Sequence, residues 1–341
     1  MAKKAMVVGI NKYQGLSTLS CCVNDDQRVK QLLEWNGEED GSQKTRNFDE
    51  VRYPVMQDYG VSRGELEVAL ASCFDGRFDT ALFYFSGHGA IDEHGGGYIS
   101  ATDHQQAISM RDLLDTVNHS ACINKIVILD CCYSGACGQS DARVNGSGQN
   151  FATLADGVTI LTSSHKGQVS YETQNKRYSD FTGLLIEALE GGAANLLGDV
   201  TPSGVYANID TALGLFGQRP MFKTNTSRLT RIRKVPPLID MNAIRRMGEC
   251  FPSMEYEMPL DTTYLRDNSV DWNEARLPIE PYAVDANVEK MRQILRKLES
   301  NGLVVPCGEH GLYRAAKYGK SCKLTKLGQY YWRLVMEEKI L

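Results

Sequence analysis

The 341-residue sequence has no apolar run long enough to cross a bilayer, which excludes a helical membrane span and points away from a membrane partner. Its start, MAKKAMVVGINKY, carries a basic pair but no cleavage region after an apolar segment. Ala5–Ile10 is therefore expected to be the first strand of the fold, not part of a secretory leader. No C-x-x-C pair occurs, so zinc sites built on that spacing are excluded. The ten cysteines are spread along the chain without the spacing of a small disulfide scaffold, and Cys21-Cys22 and Cys131-Cys132 are adjacent pairs that bridge each other poorly. Reduced thiols and a cytoplasmic location are expected. The scattered acids form no calcium loop. What remains is an ordinary soluble composition, 42% hydrophobic and 23% charged with net charge −5, long enough for one large and one small domain.

The chain is organised around Asn124–Gly135, NKIVILDCCYSG. Lys125–Leu129 is a short apolar run rich in β-branched residues and is expected to be a buried strand. Asp130, Cys131 and Cys132 follow at its end, where α/β sheets gather their ligands. Thr80–Phe85 repeats the design, a strand followed at once by Ser86-Gly87-His88-Gly89. Histidine is the usual base for a thiol, because its pKa lies near neutrality and its two ring nitrogens allow orientation and proton exchange together. The 44 residues from His88 to Cys132 suit a crossover helix between parallel neighbours. That arrangement would bring His88 to face one cysteine of the Cys131/Cys132 pair.

SGHG and DCCYSG together resemble the caspase-like cysteine peptidases of the caspase/metacaspase clan, most nearly the bacterial metacaspase-like members, over about Lys4–Leu189. The resemblance implies that His88 is the catalytic histidine and that Cys132, immediately before the Tyr133-Ser134-Gly135 element, is the nucleophile. Many metacaspases carry His at the position of Tyr133. The stretch Cys22-Val23-Asn24-Asp25-Asp26 resembles the metacaspase element Cys-[Ile/Val]-Asn-Asp-Ala, whose Asp lines the pocket for the residue before the scissile bond. This places a substrate-binding role on Asp25, with Asp130 as the second acid. Two carboxylates favour a cationic side chain, and Arg over Lys because a planar guanidinium can be held at two points. Backbone amides near Gly89 and Cys132 are expected to form the oxyanion hole. No third residue is assigned to orient the histidine.

Around these motifs the sequence predicts alternating helices and strands, hence a largely parallel sheet with helices on both faces. The predicted helices are Val23–Trp35, Ser62–Cys73 with a Ser62/Glu65 capping box, Ser109–Val117, Ser179–Glu190 and Ser203–Gly214. The predicted strands include Glu50–Met56 and Val158–Thr162, and GQRPMFKTN resembles the clan's concluding sheet segment. His88–Ile99 reads as a glycine-rich loop, and Ile99–Asp103 as a short hairpin edge. Ala136–Gln149 reads as a surface linker, equivalent to the region that caspases cut between their subunits, which makes Arg143 a candidate self-processing site. Ser163–Glu172 resembles the clan's wall loop beside the substrate groove. No cofactor is required for such chemistry; calcium is an activator in many metacaspases, but no ligands are evident here.

The expected domains are a caspase-like peptidase domain over 1–235, a connector over 236–284 and a winged-helix-like domain over 285–341. The last segment holds 11 Lys/Arg against 6 Asp/Glu, a local +5 in an acidic chain. Val288–Ser300 is the expected recognition helix, with Lys290, Arg292, Arg296 and Lys297, and Leu324-Thr325 opens the closing helix. Its partner is either another protein or nucleic acid, the former weighted more heavily. The functional expectation is a cysteine endopeptidase acting after basic residues in a defence or regulated-death role. The alternative is a non-catalytic caspase-fold scaffold or a nucleic-acid sensor working through the C-terminal domain.

Overall fold

A computed structural model describes residues 2–37, 43–54, 60–94, 96–131, 153–163, 177–213, 219–266 and 282–340. The chain divides into two compact units, Met1–Pro236 and Pro237–Leu341.

The first unit is built on a six-stranded sheet. In chain order its strands are β1 (Lys3–Gly9), β2 (Glu50–Arg52), β3 (Thr80–Ser86), β7 (Asn124–Asp130), β8 (Val158–Thr162) and β10 (Met221–Asn225). Their spatial order is β10-β8-β7-β3-β1-β2, all parallel except β10, which runs antiparallel to β8. Every residue of β3 is buried, as are the last six of β7. That is why these strands read as unbroken apolar runs without alternation: both faces of the sheet are covered. On one face lie α2 (Arg63–Phe74) and α3 (Met110–Asn118), packed with Met6, Val8, Phe83 and Phe85. On the other lie α1 (Cys22–Glu34), α4 (Asp180–Glu187) and α5 (Pro202–Leu213), packed with Ala5, Val7, Leu82 and Tyr84. The predicted capping box is present: the Ser62 hydroxyl accepts from the Glu65 amide, and the Glu65 carboxylate accepts from the Ser62 amide at 2.8 Å.

The stretch after His88, read from sequence as a loop, is structured. β4 (Gly89–Ile91), β5 (Gly97–Ala101) and β6 (His104–Ser109) form a small antiparallel sheet. Glycine content hid this because its strands are short and their pairing is local. The pair β9 (Asp199–Val200) and β11 (Arg233–Lys234) closes the unit.

In the second unit, α6 (Met241–Arg245) and β12 (Glu257–Pro259) fall in the region read as a connector. A helical stretch follows, made of α7 (Asp285–Lys290), a π-helical turn (Met291–Leu295) and α8 (Arg296–Ser300). Then come β13 (Val304–Cys307), α9 (Leu312–Lys317), β14 (Ser321–Leu324) and α10 (Lys326–Met336). β12, β14 and β13 form one antiparallel sheet, so the supposed connector contributes a strand to the unit it precedes. Thr325 caps α10 by accepting from the Gly328 amide at 3.0 Å. A Cβ on Gly328 would lie 1.9 Å from the Leu303 carbonyl oxygen, so only glycine fits where this helix crosses the strand entrance.

Candidate active site

The site is assembled at the carboxyl ends of β1, β3 and β7. β3 and β7 pair in register through Ser86 and Asp130, and the Gly87 amide donates to the Asp130 carbonyl at 3.1 Å. Gly87-His88 continues beyond one strand, and Cys131 beyond the other.

His88 is half-buried and held from three directions by residues of the β1–α1 loop. Its Nε2 lies 2.8 Å from the Ser17 carbonyl oxygen and 3.4 Å from the Ser17 hydroxyl. Its backbone amide donates to the Tyr13 hydroxyl at 2.8 Å, and the Tyr13 ring meets the imidazole edge-on, with centroids 4.7 Å apart. A carbonyl can only accept, so the Ser17 contact requires the proton on Nε2 and leaves Nδ1 as the basic nitrogen of the neutral ring. Gly87 permits the arrangement: a Cβ there would lie 2.3 Å from the Tyr13 hydroxyl and 2.9 Å from the Phe85 ring. Tyr13→Phe is expected to lower kcat/KM on an Arg-reporter peptide about threefold to tenfold, the scale of one lost hydrogen bond, with little change in Tm. Gly87→Ala should cost more, because it displaces the tyrosine and the histidine together.

Cys131 is 1% exposed and belongs to the apolar core beneath the sheet, the setting of an inert structural thiol. Cys132 lies outside the described residues, and so do Arg143, the linker 136–149 and His165 in the wall loop. Gly89 is described and opens β4, where it pairs with Ile99.

The two acids do come together. Asp25, on the first turn of α1, accepts from the Ser86 hydroxyl at 2.9 Å and from the Ser179 amide at 3.1 Å. Asp130 accepts from the hydroxyls of Ser179 and Thr182, the latter at 2.7 Å. Ser179, the N-cap of α4, thus bridges both carboxyls and aims the positive end of the helix at them. Both groups are buried, Asp25 completely and Asp130 at 6% exposure. Burial, and then the charge of Asp130, pushes Asp25 up to about 7. Burial likewise raises Asp130 against the pull of its hydroxyl partners. At neutral pH the pair therefore holds fewer than two charges, a state that an incoming cation would reverse.

Asp26 is also buried, and neither of its carboxylate oxygens has a hydrogen-bond partner. Burial pushes it up to about 8; the nearby Gly9 and Gln27 amides, outside good hydrogen-bond geometry, only partly oppose this, and Asp25 adds to it. The folded-state value exceeds the unfolded one, so the folded chain keeps a proton that the unfolded chain has released. Stability therefore falls as pH rises from about 4 towards 8, then levels off. Asp26→Asn is expected to leave stability unchanged near pH 4 and to raise it by on the order of 2–4 kcal/mol at pH 9. Urea unfolding at the two pH values measures the difference.

The sequence reading missed Tyr13 and Ser17. Both sit in a polar loop, and no local pattern announces a contact made across more than seventy residues of chain. Among the described residues no three His, Cys, Asp or Glu side chains converge as a metal site. Among the same residues, no helix is long and apolar enough to cross a membrane.

The caspase-domain family model matches residues 2–228, well beyond the stretch over which the motifs carried the resemblance. Caspase-1 from Spodoptera frugiperda is similar in structure at 16% identity and a TM-score of 0.47, the match covering 68% of this chain and 90% of that one. No curated protein matches the chain. With the caspase-domain model spanning residues 2–228 of 341, the chain belongs to the caspase-domain family and is a cysteine peptidase in type.

Proposed function

We propose that the chain is a cysteine endopeptidase that cleaves after Arg, and less readily Lys, through a His88–Cys132 dyad. The observation that carries this reading is the in-register Ser86–Asp130 pair of parallel strands. In sequence, His88 follows Ser86 by two residues and Cys132 follows Asp130 by two, and strands paired in this way neighbour at about 4.8 Å. In the reaction, Nδ1 of His88 takes the Cys132 proton while Nε2–H stays on the Ser17 carbonyl. The thiolate attacks the scissile carbonyl carbon, and the imidazolium then protonates the leaving amine. The resulting thioester is hydrolysed by water, which His88 deprotonates. Amides of Gly89 and Cys132 would receive the oxyanion. Asp25 and Asp130, bridged by Ser179, would hold the basic side chain before the scissile bond.

The linker arginine, Arg143, would be the first substrate. Incubating wild type beside Cys132→Ala and sequencing the fragment termini tests nucleophile and specificity together. Wild type should yield a new terminus after Arg143, and the variant none. An acidic residue at the cut, or cutting by the variant, would overturn the reading.

The second unit runs helix, strand, helix, strand, helix, strand, helix; its antiparallel sheet β12-β14-β13, closed by α10, supports a winged-helix-like module serving a partner in defence or regulated death, although α9 separates β13 from β14 in the chain, and calcium as an activator is to be titrated in the same assay.

A further inference from the structure

The second unit contains a cavity of about 830 Å³ that the peptidase reading does not use. The helical stretch Asp285–Ser300 contributes Asp285, Glu289, Arg292 and Arg296 to its lining, which also includes Tyr264, Arg266 and Tyr313. The volume lies in the range of small-molecule sites. The helical stretch is interrupted by the π turn Met291–Leu295, a distortion frequent at functional sites that shifts the phase of the side chains that follow.

The charge in this cavity is unevenly spent. Arg292 lies 3.2 Å from Glu289, but among the described residues neither Arg266 nor Arg296 has an acidic partner. The guanidinium groups of Arg266 and Arg296, with Arg292 one helical turn before Arg296, offer planar, many-donor recognition of phosphate oxygens. Tyr264 and Tyr313 supply aromatic rings for a flat group, and Tyr313 is 55% exposed with no paired aromatic ring among the described residues. Asp285 is placed among them as an acceptor for hydroxyls. The basic residues that would have made a continuous stripe for duplex DNA are divided: Lys297 is paired with Asp240, and Lys290 does not line the cavity.

We propose that this cavity binds a nucleotide, with phosphates on Arg266 and Arg296, the base against the tyrosine rings and the sugar hydroxyls at Asp285. The site belongs to the second unit alone and stands whether or not the peptidase specificity is as read above.

The test is titration of the full chain with a fluorescent N-methylanthraniloyl-ATP, followed by displacement with ATP, adenosine and tripolyphosphate. Saturable micromolar binding is expected, displaced by ATP better than by either fragment. Arg296→Gln should weaken it about tenfold or more, Tyr313→Ala less, and Lys290→Gln not at all. Unchanged thermal melts of the variants would show that the fold is intact. No saturation up to about 1 mM, or binding unaffected by Arg296→Gln, would overturn the proposal. So would displacement by tripolyphosphate as good as by ATP, which marks a bare polyphosphate site. Affinity confined to duplex DNA, lost equally in Arg296→Gln and Lys290→Gln, would assign the face to nucleic acid instead.

Discussion

His88→Ala is expected to lower kcat/KM on an Arg-reporter peptide by about a thousandfold or more, and Cys132→Ala to leave no turnover at all. The two losses should not add in the double variant, because base and nucleophile act as a unit. Cys131→Ala is the informative contrast. Its thiol is buried in the core under the sheet, so truncation should cost about 1 kcal/mol of stability and leave activity within about threefold of wild type. Steady-state assays under reducing conditions separate the cases. Retained activity in Cys132→Ala, or its loss in Cys131→Ala with the fold intact, would move the nucleophile by one residue and break the link between strand register and chemistry.

The second large effect concerns the buried acid pair. Asp25 near 7 and a raised Asp130 mean that the pocket gains charge as pH climbs through neutrality. For a substrate with Arg before the cleaved bond, KM should fall between about pH 6 and pH 8 while kcat moves less, because binding the guanidinium requires the ionised pair. Asp25→Asn should flatten that KM profile and reduce kcat/KM for Arg about a hundredfold, and Asp130→Asn similarly, since either change leaves one carboxyl to face the cation. A Tm measurement would show that these variants are folded. Each should even be stabilised at high pH, because a raised carboxyl value marks a group the fold holds more readily neutral. Equal cleavage after Arg, Lys and Asp in wild type, or a KM profile unchanged by Asp25→Asn, would remove the acids from specificity.

Much of this was legible in the chain because both key strands are covered on two faces. Thr80–Phe85 and Lys125–Leu129 had to be continuous apolar runs, and the residues just past them stand out by contrast. Ser62 with Glu65, and Thr325 with Gly328, announced their helices because capping is a matter of three residues. The contacts that orient His88 were not legible. Tyr13 and Ser17 act through a hydroxyl and a backbone carbonyl, and a carbonyl leaves no trace in residue identity. Ser179 was read only as the start of a helix, yet its hydroxyl and amide join the two acids across the sheet end. Of the small sheet only the hairpin edge at Ile99–Asp103 was legible; β4, β6 and the strand β12 were missed for another reason: three- to six-residue strands among glycines, or beside prolines, carry too few positions for a period to emerge.

The central claim is that one thiol, beside His88, carries out the attack. Its most direct test is covalent labelling with a peptidyl-arginine chloromethyl ketone followed by peptide mapping. The account predicts a single adduct on Cys132, formed stoichiometrically with loss of activity, absent from Cys132→Ala and strongly slowed in His88→Ala. An adduct on Cys131, or labelling of Cys132 as fast without His88 as with it, would contradict it.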